Sequence, residues 1–284
     1  MNNLPPNIKS DVEHFEIFNT SKDPVVDLKL IMEMALEKTP MAFIRFSDGE
    51  LAILKKDSYR LDKGMTSWRG KTYRNCYAEL DVKSYDSELD LDIHVDLLAA
   101  AKSNNSLLIK GIPTKHNGSV LDHKLLLELN GSVRNITFSD LLINSNYREF
   151  RNKYAQKLYS RSNVIIANHR ARVSTGKQFI AIEDNFFLNY SNCLTRCMEY
   201  LMTVPSGSLV LSSASALTKV LGHRIAMSRS DITFIDVGTS INDLLQLPKF
   251  TRPYHYQLAS PFLNPIYFLR GVKYRFSSEY QIIW

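Results

Sequence analysis

The chain has 284 residues, of which 44% are hydrophobic and 23% charged, with a net charge of +6. This is an ordinary globular composition, long enough for a full core. No apolar run approaches the ~20 residues of a membrane-spanning helix, and the opening MNNLPPNIKSDVEHF lacks the basic and apolar regions of a secretory signal. The positive charge is diffuse, which suits anionic ligands without singling out nucleic acid. Cys76, Cys193 and Cys197 show no zinc-ligand spacing, so a reducing cytoplasm is expected, with Cys197 a buried thiol.

Residues 1–22 read as an irregular lead-in broken at Pro5-Pro6, residues 23–247 as one domain, and residues 248–284 as an aromatic and basic tail packed on it. Asp23-Pro24 opens a helix with Val25, Leu28, Ile31, Met32 and Ala35 on its apolar face, ending at Thr39-Pro40. A buried strand over 41–46 follows, then a helix start at Leu51–Leu54. Residues 55–82 mix Lys55, Lys56, Arg60, Lys63, Arg69, Lys71 and Arg74 with Tyr59, Trp68, Tyr73 and Tyr77 and read as a loop, either solvated or able to grip a base and phosphate. A helix with an acidic first half is expected over 86–102, a strand over 106–110 closed by Gly111-Ile112-Pro113, and a helix over 121–129 capped by Asn130-Gly131. Next come a short strand near Ile136, a helix over 146–159, a buried strand over 163–167 and a basic turn at Asn168–Arg172. The apolar stretch 179–182, a helix over 191–203, a strand over 208–212, a helix over 217–227 and a strand over 232–236 complete the series. Strands alternating with helices define an α/β protein, Rossmann-like, with a largely parallel sheet.

Three strand ends carry chemistry. Ser47-Asp48-Gly49-Glu50 can present two carboxylates to a hard cation, and it also fits the helix capping box S-x-x-E. Ser213-Ala214-Ser215-Ala216 is a small-residue turn into a helix, where exposed N–H groups attract phosphate. Asp236-Val237-Gly238 ends the last strand. Open α/β sheets bind ligands outside the carboxyl ends of their strands.

In this order the motifs R-F-x-D-G-E (45–50), G-I-P (111–113), the basic turn, the small-residue turn and I-D-V-G (235–238) resemble the bacterial GT-D type glycosyltransferases over roughly residues 40–245. That family carries a D-x-E motif on a Rossmann-like domain. The resemblance implies a hexosyltransferase-type enzyme with a nucleotide-sugar donor, usually UDP-linked, and a divalent metal, Mn or Mg. The acceptor would be a glycan, glycoprotein or lipid-linked sugar in surface polysaccharide or glycoconjugate synthesis, in the cytoplasm or at the inner face of its membrane. Asp48 and Glu50 match the D-x-E pair and become the expected catalytic and metal-binding residues. Arg45, Gly49, Arg170, Ser213, Ala214, Ser215 and Gly238 are the expected donor contacts, and Asp236 or Asp243 the expected base. The family often has Gly in place of Ser47 and a Gly-Pro-Thr-Ala type turn in place of residues 213–216. A metal-dependent phosphohydrolase acting on nucleotide sugars is the second reading, and a nucleic-acid binder built on residues 55–77 the third, without any recognisable nucleic-acid motif.

Overall fold

The computed structural model describes residues 23–62, 65–68, 71–74, 82–114, 118–248 and 252–263, with 265–266 and 268–269. The expected lead-in, Lys63, Arg69, Cys76, Tyr77, Lys249 and the tail beyond Leu269 lie outside the described residues.

In chain order the elements are α1 (Pro24–Glu37), β1 (Met41–Arg45), α2 (Asp48–Leu54), β2 (Tyr59–Asp62), β3 (Met65–Trp68), β4 (Lys71–Arg74) and β5 (Lys83–Tyr85). They continue with α3 (Leu91–Lys102), β6 (Leu108–Ile112), α4 (Val120–Asn130), β7 (Ile136–Phe138), α5 (Tyr147–Phe150), α6 (Gln156–Arg161), β8 (Val164–Asn168) and β9 (Gln178–Ile182). The last are α7 (Tyr190–Thr203), β10 (Leu209–Ser213), α8 (Ser215–Ser228) and β11 (Thr233–Asp236).

Seven strands form one sheet in the order β7-β6-β1-β11-β10-β8-β9, and every pairing in it is parallel. The reason lies in the apolar runs. Strand side chains alternate between faces, so Ala42, Ile44 and Phe46 enter one core with α8, while Met41 and Phe43 enter the other with α1. With both faces covered by helices, the strands must be apolar at nearly every position. Gly222 of α8 packs so closely on β1 that an added Cβ would lie 2.4 Å from Ile44 Cγ2.

Five elements depart from expectation. Residues 59–85 contain β2–β5, a second, antiparallel sheet in the order β4-β3-β2-β5. Its period-two pattern, with Tyr59 buried and Arg60 exposed, was masked by the basic residues. Tyr59, Tyr85 and Phe187 fasten this sheet to the main domain, with ring centroids 5.7 to 6.2 Å apart. α3 begins at Leu91 because the acids before it cap their own turn, the Asp86 and Glu88 N–H groups donating to Asp90 and Asp86 carboxylates. β6 runs on through Gly111 to Ile112, where the β7 ladder continues. Val25 is exposed, and α1 buries Asp27, Leu28, Ile31, Met32, Met34 and Ala35 instead. The expected helix over 146–159 forms as α5 and α6 joined by a π-helical turn at Arg151–Ala155. Cys197 is fully buried, as its helical spacing suggested.

Candidate active site

A cavity of about 470 Å³ opens at the carboxyl edge of the parallel sheet, the place where open α/β sheets bind ligands. The ends of β1, β8, β9 and β10 and the turn after β11 reach it, as do Tyr59, Leu61, Thr66 and Lys83 from the antiparallel sheet and Arg252 and Tyr254 from beyond residue 247. The expected residues Arg45, Asp48, Gly49, Glu50, Ser213, Ala214, Ser215 and Gly238 all line it.

The motif at residues 47–50 builds the helix start that its S-x-x-E pattern allows. Glu50 Oε2 accepts from the Ser47 N–H at 3.0 Å and from Ser47 Oγ at 2.8 Å. Its other oxygen faces Lys219 Nζ at 3.3 Å, with both side chains buried. The same ammonium lies 3.0 Å from Asp236 Oδ2 and donates to the Ser215 carbonyl at 3.3 Å. Arg45 completes the group: its backbone N–H donates to Asp236 Oδ2 at 3.0 Å, its Nε to the Asp236 carbonyl at 3.0 Å and its Nη2 to Asp236 Oδ1 at 3.3 Å. Arg45 Nη1 reaches the Ser139 carbonyl at 3.2 Å. Two cations and two carboxylates thus form a buried, charge-balanced quartet. Burial alone would push the Asp236 carboxyl up, but Lys219 and then Arg45 outweigh it and hold the group below the usual carboxylate range. Gly238 lies against this group with φ +49, and a Cβ there would stand 2.4 Å from Arg45 Nη2.

These contacts separate the sequence candidates. Asp236 is 1% exposed, is engaged by Lys219 and Arg45, and is not among the residues that line the cavity. Asp243 points away from the cavity and holds Arg151 through both carboxylate oxygens. Asp48 differs: it is exposed at the cavity and, among the described residues, accepts only from the Gly49 N–H, at 3.0 Å. Arg170 pairs with Asp184, and of these two the cavity is lined by Asp184.

The carboxylate pair does not make a cage for a divalent ion. Hard cations take six or more oxygens, largely from carboxylates and carbonyls. Of the two, Glu50 is spent on the helix cap and on Lys219, which leaves Asp48. Among the described residues no cluster of three or more His, Cys, Asp or Glu is placed to hold a metal.

Anion-binding features lie beside the quartet. α8 starts at the cavity without a side-chain N-cap bond, and Ser215 adopts φ +50. Lys83 Nζ donates to Ser215 Oγ at 3.0 Å, and no carboxylate pairs with it among the described residues. An ammonium beside the positive end of a helix is unfavourable unless an anion joins them. Asn242, 3% exposed, lines the same cavity with its amide N and O both without hydrogen-bond partners among the described residues.

Sequence reasoning missed Lys83, Lys219, Asn242, Arg252 and Tyr254. For Lys219 a signal existed: it is a lone charge in the mostly apolar stretch Ala216–Leu221, where a buried lysine requires partners.

No known protein family matches the chain, and no curated protein matches it. Three solved structures are similar to it. Two, of the domain of unknown function 1792, one described as a highly conserved domain with a distinct glycosyltransferase fold, are each 12% identical, with TM-score 0.48 over 82% of this chain and 84% of theirs. The third, described as a new glycosyltransferase of that family from Streptococcus sanguinis, is 13% identical with TM-score 0.43 over 80% and 81%. Likenesses this distant say nothing of chemistry, and the architecture stands on the strand order itself.

Proposed function

We propose that this protein is a glycosyltransferase that takes its sugar from a nucleotide-sugar donor, of which a UDP-sugar is the first to test. The observation that carries the reading is the pairing of Lys83 with the open N-terminus of α8 in a cavity large enough for such a ligand. A diphosphate is the anion that fits this double positive end, and it is the leaving group in sugar transfer. Asn242 supplies an unsatisfied donor and acceptor for a sugar hydroxyl or a base edge. Asp48, an exposed carboxylate on the cavity wall, takes the role of base towards the acceptor hydroxyl. The motif resemblance described above supports the same reaction class. No helix among the described residues is long and apolar enough to cross a membrane.

Calorimetry with UDP tests the reading. Ala214→Glu brings a carboxylate to the start of α8 and should abolish UDP binding by charge repulsion. Lys83→Met should weaken binding by about tenfold, the effect of one lost charge-assisted contact. Undiminished UDP affinity in both folded variants would remove the diphosphate from this place.

A further inference from the structure

We propose that Lys219 is the resident cation of this site, held between Glu50 and Asp236, so that ligand binding here needs no divalent metal. The inference leans on the reading above only for its choice of probe; its ground is the set of buried ion pairs.

Three oxygens surround the Lys219 ammonium: Glu50 Oε1 at 3.3 Å and Asp236 Oδ2 at 3.0 Å as ion pairs, and the Ser215 carbonyl, which accepts its hydrogen bond at 3.3 Å. The side chain is fixed along α8 and is only 5% exposed. With Arg45 already on Asp236, each buried negative charge is answered by a positive one. A dication bonded to Glu50 would stand close to the ammonium in a medium that screens poorly, and of the motif's carboxylates only the exposed Asp48 is left to offset the repulsion. The lysine does part of what a metal would do in such a place: it neutralises the two strand-end carboxylates and ties α2, β11 and α8 together. It does so without a loading step. Two further cations, Lys83 and Arg252, line the cavity wall.

The test uses the full chain, stripped with chelator. Mn titrated against the protein alone, followed by electron paramagnetic resonance, should show no stoichiometric tight site. UDP affinity should agree within about threefold between chelator and Mn. A stoichiometric Mn site, or affinity lost by more than that factor on chelation, overturns the proposal. Lys219→Met supplies a second readout, because it leaves Glu50 and Asp236 facing each other with one cation fewer. Mn should raise the melting temperature of this variant and leave the parent unchanged, and an equal rise in both would contradict the assignment. If the variant does not fold, the parent titration still decides. Absence of any UDP binding in either buffer would instead sink the donor reading, while the Mn titration on protein alone continues to judge Lys219.

Discussion

Glu50→Gln separates the roles of the motif that first drew attention to this chain. Judged from sequence, glutamine replaces glutamate at the third position of a capping box at little cost, and the melting temperature should hardly change. The structure gives a different expectation. Glutamine's carbonyl oxygen can still accept from the Ser47 N–H, now bonded to Glu50 at 3.0 Å. It cannot replace the charge that faces Lys219 at 3.3 Å, where the two side chains are 3% and 6% exposed. Removing one partner of a buried ion pair costs about 3–5 kcal/mol, against about 0.5–2 kcal/mol for a lost cap. Asp236 still holds the lysine, which places the expected loss near the lower end, about 3 kcal/mol. For a chain of this size that corresponds to a fall of about 6–12 °C in melting temperature. Thermal unfolding without added metal measures it, and adding Lys219→Met to the variant should recover part of the loss by removing the stranded charge. A fall of less than about 2 °C would mean that the buried pair contributes little and that Glu50 is a cap alone.

Gly222→Ala gains helix propensity worth about 1 kcal/mol, yet its Cβ would stand 2.4 Å from a methyl of the fully buried Ile44. Overpacking should win, for a net loss of about 1–2 kcal/mol read from the urea midpoint, and an unchanged midpoint would show that α8 can slide on the sheet. His255 is 5% exposed, and its pKa is pushed down to about 4, chiefly by burial. The neutral ring with its proton on Nε2 suits both neighbours, donating to the Thr239 carbonyl at 3.0 Å and accepting the Arg252 N–H at 3.3 Å. The unfolded chain protonates first, near pH 6.5, so this stabilisation is complete above pH 6.5 and lost as pH falls towards 4. The loss is up to about 3 kcal/mol. His255→Gln should flatten the stability profile in that window, and a parallel profile would show that other groups cause the slope.

The parallel sheet was legible because burial on both faces leaves a continuous apolar signature, as in Met41–Phe46 and Val164–Ala167. The site's location was legible for a related reason: its motifs stand where such strands stop. The partners of those motifs were not. Lys83 meets Ser215 across 132 residues of sequence, and Arg45 meets Asp236 across 191. No local pattern encodes pairings of that range. The choice between a metal pair and a cap at Glu50 turned on Lys219, a helical residue whose spacing resembles any other. The antiparallel sheet was hidden differently, by basic side chains on its outer face that imitate the composition of a loop.

The distribution of charge around the cavity carries a consequence for specificity. At the sheet edge, Arg45, Lys219, Glu50 and Asp236 cancel one another, so the parallel core offers a rigid floor with little net field. Two further cations on the cavity wall come from parts added to that core: Lys83 from the antiparallel sheet and Arg252 from the segment after the last strand. Tyr254, beside Arg252, is anchored by an edge-on contact to Tyr147 at 4.9 Å, and Tyr59 ties the antiparallel sheet to Phe187 at 6.2 Å. Both additions are therefore anchored by aromatic packing. A field built in this way can be altered without unfolding the domain, since Lys83 and Arg252 can change while the quartet beneath them stays balanced. Which ligand enters is accordingly set by the additions, and the strand-end motifs hold the floor on which it rests.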